Sequence, residues 1–311
     1  MGYALRNCPV GNFRVEASLQ WRIGGLKILN MQTILKGKTK EVVIDTSGPV
    51  IIIGESINPT RRKKLVSTLQ GNDFSFVLEL AASQINSGAD VLDVNVGFPG
   101  VEDEKLLPAT VKVLQDNFDV PLCLDSPNPK AIEAALKVAA GKCLINSVNG
   151  EEKSLKTLLP VAREYGAAII GLCMDDDGIT HDPEKRLSIA GKIIERAVSM
   201  GIKEEDVVID PLAMAVSADP NACLVTLETI RLIHQKLGHN ITQGASNISF
   251  GLPDRESLNA AYMALSIYNG LTCPIANPEK ITAAVRAADL VMGRDDFAVR
   301  FVEYFQSRNP Q

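Results

Sequence analysis

The chain has 311 residues, of which 46% are hydrophobic and 22% are charged, as is typical of a globular protein. Its formal net charge of −5 argues against a surface that binds nucleic acid or an anionic membrane, and no apolar run in the sequence is long enough to span a bilayer. Its 6 cysteines include no Cys-x-x-Cys pair and its histidines number 3, so we expect a protein of the reducing cytoplasm without a metal site.

The first 30 residues differ in composition from the rest of the chain. They carry several basic residues but only one acidic residue, Glu16, and they show no helix or strand periodicity. A secretory signal would need a central apolar block, which this stretch does not contain. We therefore predict an irregular N-terminal extension over residues 1–46, followed by a single domain over residues 47–311.

From Pro49 onward, apolar runs of strand length alternate with amphipathic helices. The predicted strands cover residues 50–54, 90–96, 121–125, 143–147, 167–174, 206–210, 241–246 and 271–276. The predicted helices cover residues 74–87, 104–117, 129–140, 152–165, 183–200, 222–237, 255–268 and 279–292, with a tail helix beyond. This alternation predicts an α/β fold with a parallel sheet. The even repeat favours a closed (β/α)8 TIM barrel over an open doubly wound sheet.

Polar side chains end four of the predicted apolar runs: Asp125, Asn146, Asp210 and Asn247. The carboxyl ends of barrel strands point into one mouth, where barrel enzymes keep their chemistry. A carboxylate accepts hydrogen bonds, whereas an amide both donates and accepts them, so the set can bind an amino-pyrimidinone ring such as a pterin. Each residue taken alone is equally well explained as a strand-end cap or a turn residue. Glycine-rich motifs of the common nucleotide-binding sites are absent from the sequence.

Six stretches of the sequence resemble the motifs of one family. They are residues 54–58 (GESIN), 92–97 (LDVNVG), 122–126 (LCLDS), 145–147 (INS), 209–211 (IDP) and 244–253 (GASNISFGLP). Together they make the chain similar to the pterin-binding methyltransferases, which move a methyl group between tetrahydrofolate and a corrinoid protein. That family includes the folate domain of cobalamin-dependent methionine synthase and small enzymes of acetogenic and demethylating pathways. The chain departs from the family pattern at Ser56, where an arginine is usual.

The resemblance implies a TIM barrel and a set of site residues. The implied substrate-binding residues are Asn58, Asn95, Asp125, Asn146, Asp210, Asn247 and Arg255. Among them, Asp125, Asn146 and Asp210 would hold the polar edge of the pterin. Asn247 would be the catalytic residue, because it looks like the residue that hydrogen-bonds N5, the atom that carries the methyl group.

The resemblance also implies the reactants and partners. Tetrahydrofolate or methyltetrahydrofolate would be the small-molecule substrate, and the other reactant would be a corrinoid (cobalamin) held by a carrier protein. Transfer could run in either direction, in one-carbon metabolism or in O-demethylase systems. The family often forms homodimers, so we expect a homodimer here.

Two alternatives remain open at this stage. Dihydropteroate synthase shares the barrel and the pterin-holding positions, but that family has a late Ser-Arg-Lys segment where this chain has Ser246-Asn247-Ile248-Ser249. A non-catalytic folate-binding subunit is the other alternative. The presence of Asn247 argues against it, since simple binding would not require a partner at N5.

Overall fold

A computed structural model describes residues 30–308 of the protein, so the irregular structure predicted for the preceding residues lies outside the described range. Within that range the strands are β1 (Gln32–Lys36), β2 (Glu41–Asp45), β3 (Ile53–Ile57), β4 (Val91–Val94), β5 (Leu122–Asp125), β6 (Leu144–Asn149), β7 (Ala168–Leu172), β8 (Val207–Asp210) and β9 (Ile275–Ala276). The helices are α1 (Lys63–Gln70), α2 (Ser75–Asn86), α3 (Asp103–Asn117), α4 (Pro129–Val138), α5 (Glu152–Tyr165), α6 (Pro183–Ser199), α7 (Ala222–Lys236), α8 (Arg255–Asn269), α9 (Pro278–Val291) and α10 (Val299–Arg308).

The main sheet is parallel and contains seven strands in the order β8-β7-β6-β5-β4-β3-β9. Residues 241–244 join its two outer strands through parallel bridges, one between Ile209 and Ile241 and one between Gly244 and Ile275. This segment occupies the seventh of eight positions around the sheet. The sheet therefore closes, and the protein has the predicted (β/α)8 barrel fold with the helices outside.

The seventh position is not the regular strand predicted over residues 241–246. The backbone N–H of Ile241 donates to the hydroxyl of Thr272 at 2.9 Å, so a side chain replaces a backbone partner in the ladder. A 3-10 helix then runs over Ala245–Ser249. Asn247 therefore lies on this short helix just beyond the strand position.

Three helices begin at an Asn-Pro or Asp-Pro pair of the sequence. These pairs are Asn128-Pro129 at α4, Asp182-Pro183 at α6 and Asn277-Pro278 at α9. In each, the side chain of the first residue accepts a hydrogen bond from a backbone N–H of the first helical turn. The proline fits that turn because its missing N–H would have no helical partner there. The pairs fix the points at which the chain leaves the mouth of the barrel.

Strands β1 and β2 form an antiparallel hairpin inside the segment predicted as an irregular extension. Its inward residues Leu35, Val42 and Ile44 pack with the interior residues of the barrel strands. Asn240 Nδ2 donates to Thr33 Oγ1 at 3.0 Å and to the Ile44 carbonyl at 2.9 Å. Because Asn240 immediately precedes the seventh position, the hairpin covers the end of the barrel where the strands begin. The opposite end is left as the mouth.

A second and larger core lies between the sheet and the helices. The helices bury one face and leave the other in water, as in α5, where Leu155, Leu159 and Ala162 are fully buried. This spacing of four and three residues follows the helical repeat. Among residues 30–308, no helix combines the length and the apolar composition needed to cross a membrane.

Candidate active site

A cavity of about 410 Å³ lies at the mouth of the barrel, within the size range of small-molecule sites. The four predicted residues Asp125, Asn146, Asp210 and Asn247 all line it, as does Asn58. The other lining residues are Glu55, Thr60, Arg62, Asp93, Leu172, Leu212, Ala213, Gly244 and Ile275. Carboxylates outnumber the single guanidinium in this lining, so the cavity is acidic.

The strand pleat explains how these side chains come together. Side chains two positions apart in a strand point to the same face of the sheet. In five strands an apolar residue of the barrel interior is followed two positions later by a polar residue of the cavity. The pairs are Ile53 and Glu55, Val91 and Asp93, Cys123 and Asp125, Leu144 and Asn146, and Val208 and Asp210. The acidic lining is therefore one layer of residues stacked on an apolar layer.

Asp210 stands at the end of β8 and is 9% exposed. Its Oδ1 accepts the backbone N–H of Leu212 at 2.8 Å, and its other oxygen accepts no hydrogen bond from residues 30–308. Burial raises the pKa of Asp210 to about 7, against the opposing effects of the Leu212 N–H and the charge of Arg186. The carboxylate is thus poorly compensated and suited to receive donors from a ligand.

Arg186, in the first turn of α6, is only 1% exposed although it carries a charge. Its Nη1 donates to the carbonyl oxygens of Pro211 at 2.7 Å and Leu212 at 2.9 Å. Thr226 Oγ1 donates to the same Leu212 carbonyl at 2.9 Å. These bonds hold Leu212 in a left-handed conformation with φ of 67°, and this conformation directs its N–H to Asp210. Arg186 supports the turn beside the candidate site, and the sequence analysis missed it because a helical arginine is usually exposed.

Two further acids, Asp93 and Asp125, lie close to each other in the cavity wall. Asp93 Oδ1 accepts Asn146 Nδ2 at 3.1 Å, and Asp125 Oδ2 accepts Asn95 Nδ2 at 2.9 Å. Burial raises the pKa of both carboxyls, and the charge of Asp125 raises that of Asp93 further. Asn146 reaches Asp93 across β5, and Asn95, just after β4, reaches Asp125 on the next strand, so the two amides hold the acids in place.

Asn247 faces the cavity from the 3-10 helix, and its side chain forms no hydrogen bond with residues 30–308. Arg255 braces this helix from one side: its Nη2 donates to the Ser246 carbonyl at 2.7 Å and its Nε donates to Ser249 Oγ at 2.9 Å. On the other side Ser246 Oγ donates to Glu55 Oε1 at 2.9 Å. The helix is fixed while the amide of Asn247 stays available to a ligand.

Two of the predicted site residues lie beside the cavity and not in its lining. Asn95 bonds Asp125 and accepts the Gly97 N–H at 2.8 Å. It lines a neighbouring cavity of about 420 Å³ that shares Thr60 and Asp125 with the first. Arg255 likewise contacts the 3-10 helix and not the cavity. Asn95 thus holds a side chain that lines the cavity, that of Asp125, whereas Arg255 holds the short helix that carries Asn247.

The sequence analysis also missed three charged lining residues, Glu55, Arg62 and Asp93. Asp93 stands in the buried strand Val-Leu-Asp-Val, and Glu55 stands in Ile-Gly-Glu-Ser-Ile. A carboxylate inside a buried apolar strand is costly unless it has a role or a partner. That signal was present in the sequence for both acids. Nothing comparable marked Arg62, which lies in a loop.

The arrangement is suited to a flat ligand with several N–H donors. Asp210, Asp125 and Asn146 each have an oxygen at the cavity that accepts no hydrogen bond from the described residues. These oxygens lie on the cavity wall, so a ligand that supplies N–H donors can pair with them directly. Asn247 adds a group that can donate or accept.

Comparison with known proteins gives the family of the chain. A family model of pterin binding enzymes matches residues 54–277. The chain is 30% identical over 268 residues to the methylcorrinoid:tetrahydrofolate methyltransferase of Eubacterium limosum, covering 83% of this chain and 96% of that protein. It is 29% identical over 245 residues to the methionine synthase of Mycobacterium tuberculosis and 31% over 252 residues to that of Mycobacterium leprae. The matches to these synthases cover 75% of this chain but only 21% and 20% of their length.

Solved structures of dihydropteroate synthases share the fold. The Yersinia pestis DHPS with a pterine-sulfa conjugate has a TM-score of 0.65 at 17% identity, covering 84% of this chain and 99% of that one. The 7,8-dihydropteroate synthase of Vibrio fischeri has a TM-score of 0.65 at 18% identity with the same coverage. Likeness at this level of identity concerns the fold alone. By its family match and its similarity to the Eubacterium protein, the chain belongs to the pterin-binding enzymes, in the family of the methyltetrahydrofolate:corrinoid methyltransferases, and is a methyltransferase.

Proposed function

We propose that this methyltransferase moves a methyl group between N5 of tetrahydrofolate and the cobalt of a corrinoid on a carrier protein, in either direction. The observation that carries the proposal is the convergence of Asp125, Asn146, Asp210 and Asn247 on one cavity. The first three receive the polar edge of the pterin, and Asn247 faces N5. The name of the Eubacterium relative includes both methylcorrinoid and tetrahydrofolate, which supports this choice of substrates.

The chemistry requires help at N5. A methyl group on a tertiary amine is a poor electrophile, because the nitrogen would leave as an amide anion. A proton given to or shared with N5 turns the leaving group into a neutral amine, and general-acid help of this kind is worth about 10²–10⁴-fold. Asn247 holds that proton at N5, together with water. The methyl then passes to the cobalt in line as the bond to N5 breaks.

Positioning supplies a further part of the rate. The turn held by Arg186 fixes Asp210, and the amide of Asn95 fixes Asp125. A pterin bound to two fixed carboxylates presents N5 in one orientation to the mouth. Preorganisation of this sort lowers the entropic barrier between two reactants. The mouth stays open toward the carrier protein.

The decisive variant is Asn247→Ala. We expect methyl transfer to fall by about 10²–10⁴-fold, with a smaller change in folate affinity, since the acids that hold the pterin remain. The measurement is the formation of methylcobalamin from cob(I)alamin and methyltetrahydrofolate, followed by its absorbance. Asn117→Ala, at the exposed end of α3, is the matched control. Equal losses of affinity and rate, or no loss of either, would refute the role at N5.

We also propose a cytoplasmic homodimer that serves an O-demethylase system or a related one-carbon pathway. An exposed apolar row on α8, formed by Leu258, Leu265 and Tyr268, supports contact between two copies. Sedimentation of the purified protein tests this.

The dihydropteroate synthase alternative has only the shared fold in its favour. The segment Ser246-Asn247-Ile248-Ser249 carries no lysine, in contrast to the Ser-Arg-Lys of that family. Thermal unfolding in the presence of each ligand separates the two functions. A methyltransferase should have a higher melting temperature with methyltetrahydrofolate and an unchanged one with para-aminobenzoate. A non-catalytic folate-binding subunit would lack the methyl transfer that the Asn247 experiment measures.

A further inference from the structure

Four consecutive basic residues, Arg61 to Lys64, follow β3 at the mouth of a chain whose net charge is −5. Lys64 pairs with Glu79 at 3.4 Å and lies over the ring of Phe76. The other three, Arg61, Arg62 and Lys63, form no ion pair within 4 Å among residues 30–308. We call these three the basic rim. Arg62 shares the cavity with Glu55, on which its charge acts, whereas Arg61 and Lys63 have no carboxylate oxygen within 4 Å in the part of the chain that the structure describes.

The basic rim is continuous with the cavity. Arg62 is itself part of the cavity lining. The guanidinium of Arg61 lies 4.9 Å from the ring centre of Phe250, which directly follows the 3-10 helix of Asn247. Lys63 is exposed. The rim therefore runs from the wall of the cavity outward to the solvent.

The backbone holds the rim in a defined turn. The Thr60 N–H donates to Asn58 Oδ1 at 2.9 Å, and the Arg62 N–H donates to the Pro59 carbonyl at 3.0 Å. Arg61 has a left-handed φ of 61°, which is unfavourable for a residue with a side chain. Such strain is kept at binding sites more often than elsewhere.

The charges of the cavity and its rim match the two ends of a folate. The cavity floor is acidic and fits the N–H donors of the pterin, whereas the basic rim fits anions. The opposite end of a folate carries glutamate, and folates differ in how many γ-linked glutamates they bear. We propose that the basic rim binds the carboxylates of this glutamate tail, so that the enzyme prefers folates with several glutamates. This inference rests on the proposed function.

The test compares ligands that share the pterin but differ in the tail. Affinities are measured for 6-methyltetrahydropterin and for methyltetrahydrofolate with one, three and five glutamates. Two partly exposed ion pairs of about 0.7 kcal/mol each, within their usual range of strength, predict roughly tenfold tighter binding of the triglutamate than of the monoglutamate. This preference should shrink as salt rises, because exposed charge pairs are screened.

The variant Arg61→Gln/Lys63→Gln should reduce the preference to about twofold or less, while the affinity for the tail-less pterin stays close to that of the unmodified protein. The variant Lys112→Gln/Lys203→Gln removes the same charge from exposed positions of α3 and of the loop before β8. It should keep the full preference. Both side-chain pairs are exposed, so neither double variant is expected to impair folding.

Three results would overturn the inference. One is equal affinity of the unmodified protein for all tail lengths. The second is an equal loss of preference in the two double variants, which would indicate general charge. The third is that Arg61→Gln/Lys63→Gln slows methyl transfer to the corrinoid protein but keeps the full preference for the triglutamate. That result would indicate that the rim binds the corrinoid protein and not the glutamate tail. In all three, folate still binds, so the proposed function survives; failure of every folate and pterin to bind refutes both.

Discussion

Replacement of Asp210 by asparagine should weaken folate binding and stabilise the ligand-free protein at the same time. Asp210 Oδ1 accepts the Leu212 N–H, and the second oxygen faces the cavity. The asparagine has the same shape, and its oxygen can keep the bond to Leu212. Its NH2 group then faces the cavity, where it meets the N–H donors of the pterin.

The loss in affinity follows from this geometry. A hydrogen bond to a charged acceptor contributes about 1.5–3 kcal/mol, which corresponds to roughly 10- to 150-fold in Kd. Calorimetric titration with methyltetrahydrofolate at pH 8 measures this, since the wild-type carboxyl is then largely ionised. Below its pKa of about 7 Asp210 takes up a proton, so the wild-type affinity should fall as the pH is lowered. Asp210→Asn should show less of this dependence.

The stability should change in the opposite direction. Burial raises the pKa of Asp210 from 3.8 to about 7, so between these values the folded protein holds a proton that the unfolded chain has released. Stability therefore falls as the pH rises through this window. Since one pH unit corresponds to 1.36 kcal/mol, the ionised carboxylate destabilises the folded protein by up to ~4 kcal/mol at pH 8. Asp210→Asn should raise the melting temperature at pH 8 and change it little at pH 4.

The matched control is Asp176→Asn, which makes the same chemical change in an exposed loop and should alter neither quantity. If Asp210→Asn binds methyltetrahydrofolate as tightly as the wild type, Asp210 does not receive the pterin. If the variant is less stable than the wild type at pH 8, burial is not what raises the pKa of Asp210. The two measurements therefore test the pterin pose and the electrostatics separately.

Two further variants test the supports of the site and of the fold. Arg186→Met keeps the apolar length of the side chain but leaves the Pro211 carbonyl without its Arg186 donor and the Leu212 carbonyl with Thr226 alone. It should lower the free energy of unfolding by about 3 kcal/mol or more, measured from the midpoint of urea unfolding. Arg186→Lys should recover part of this loss. An unchanged midpoint would contradict a stabilising role for the bonds from Arg186 to Pro211 and Leu212. Asn240→Leu removes the donor to Thr33 and Ile44 and should cost about 1–3 kcal/mol. Hydrogen exchange should then accelerate in the β1–β2 hairpin before the barrel, and a uniform acceleration would contradict a local anchor.

The barrel could be predicted because its strands are buried on both faces and read as continuous apolar runs. The predicted helix 152–165 has the bounds of α5, and the predicted strand 121–125 differs from β5 by one residue. The seventh position could not be predicted in the same way. There the Thr272 hydroxyl substitutes for a backbone partner, a contact between residues 31 apart in the chain. The hairpin was missed because its short strands lie in a charged segment.

The lining of the candidate cavity could be predicted where a polar residue stands at the end of a strand, as at Asp125, Asn146 and Asp210. The prediction failed where the direction of a side chain determines whether the residue lines the cavity. Asn95 lies just past the end of β4 and bonds Asp125, whereas Asp93, two positions earlier and inside β4, lines the cavity. Arg186 lies on a different unit from the turn that it holds, and neither spacing nor composition connects them.

The two layers of the barrel interior explain how a folded protein tolerates this acidic mouth. The interior layer, with Val91 and Val208, is apolar and continuous with the hairpin. Two residues later, about 6.6 Å along each strand, the same faces carry Asp93 and Asp210. The apolar layer stabilises the fold, and the acidic layer reduces stability until a ligand supplies donors. Substitutions in the acidic layer should therefore alter binding and its pH dependence without unfolding the barrel, whereas a polar substitution of Val208 should unfold it.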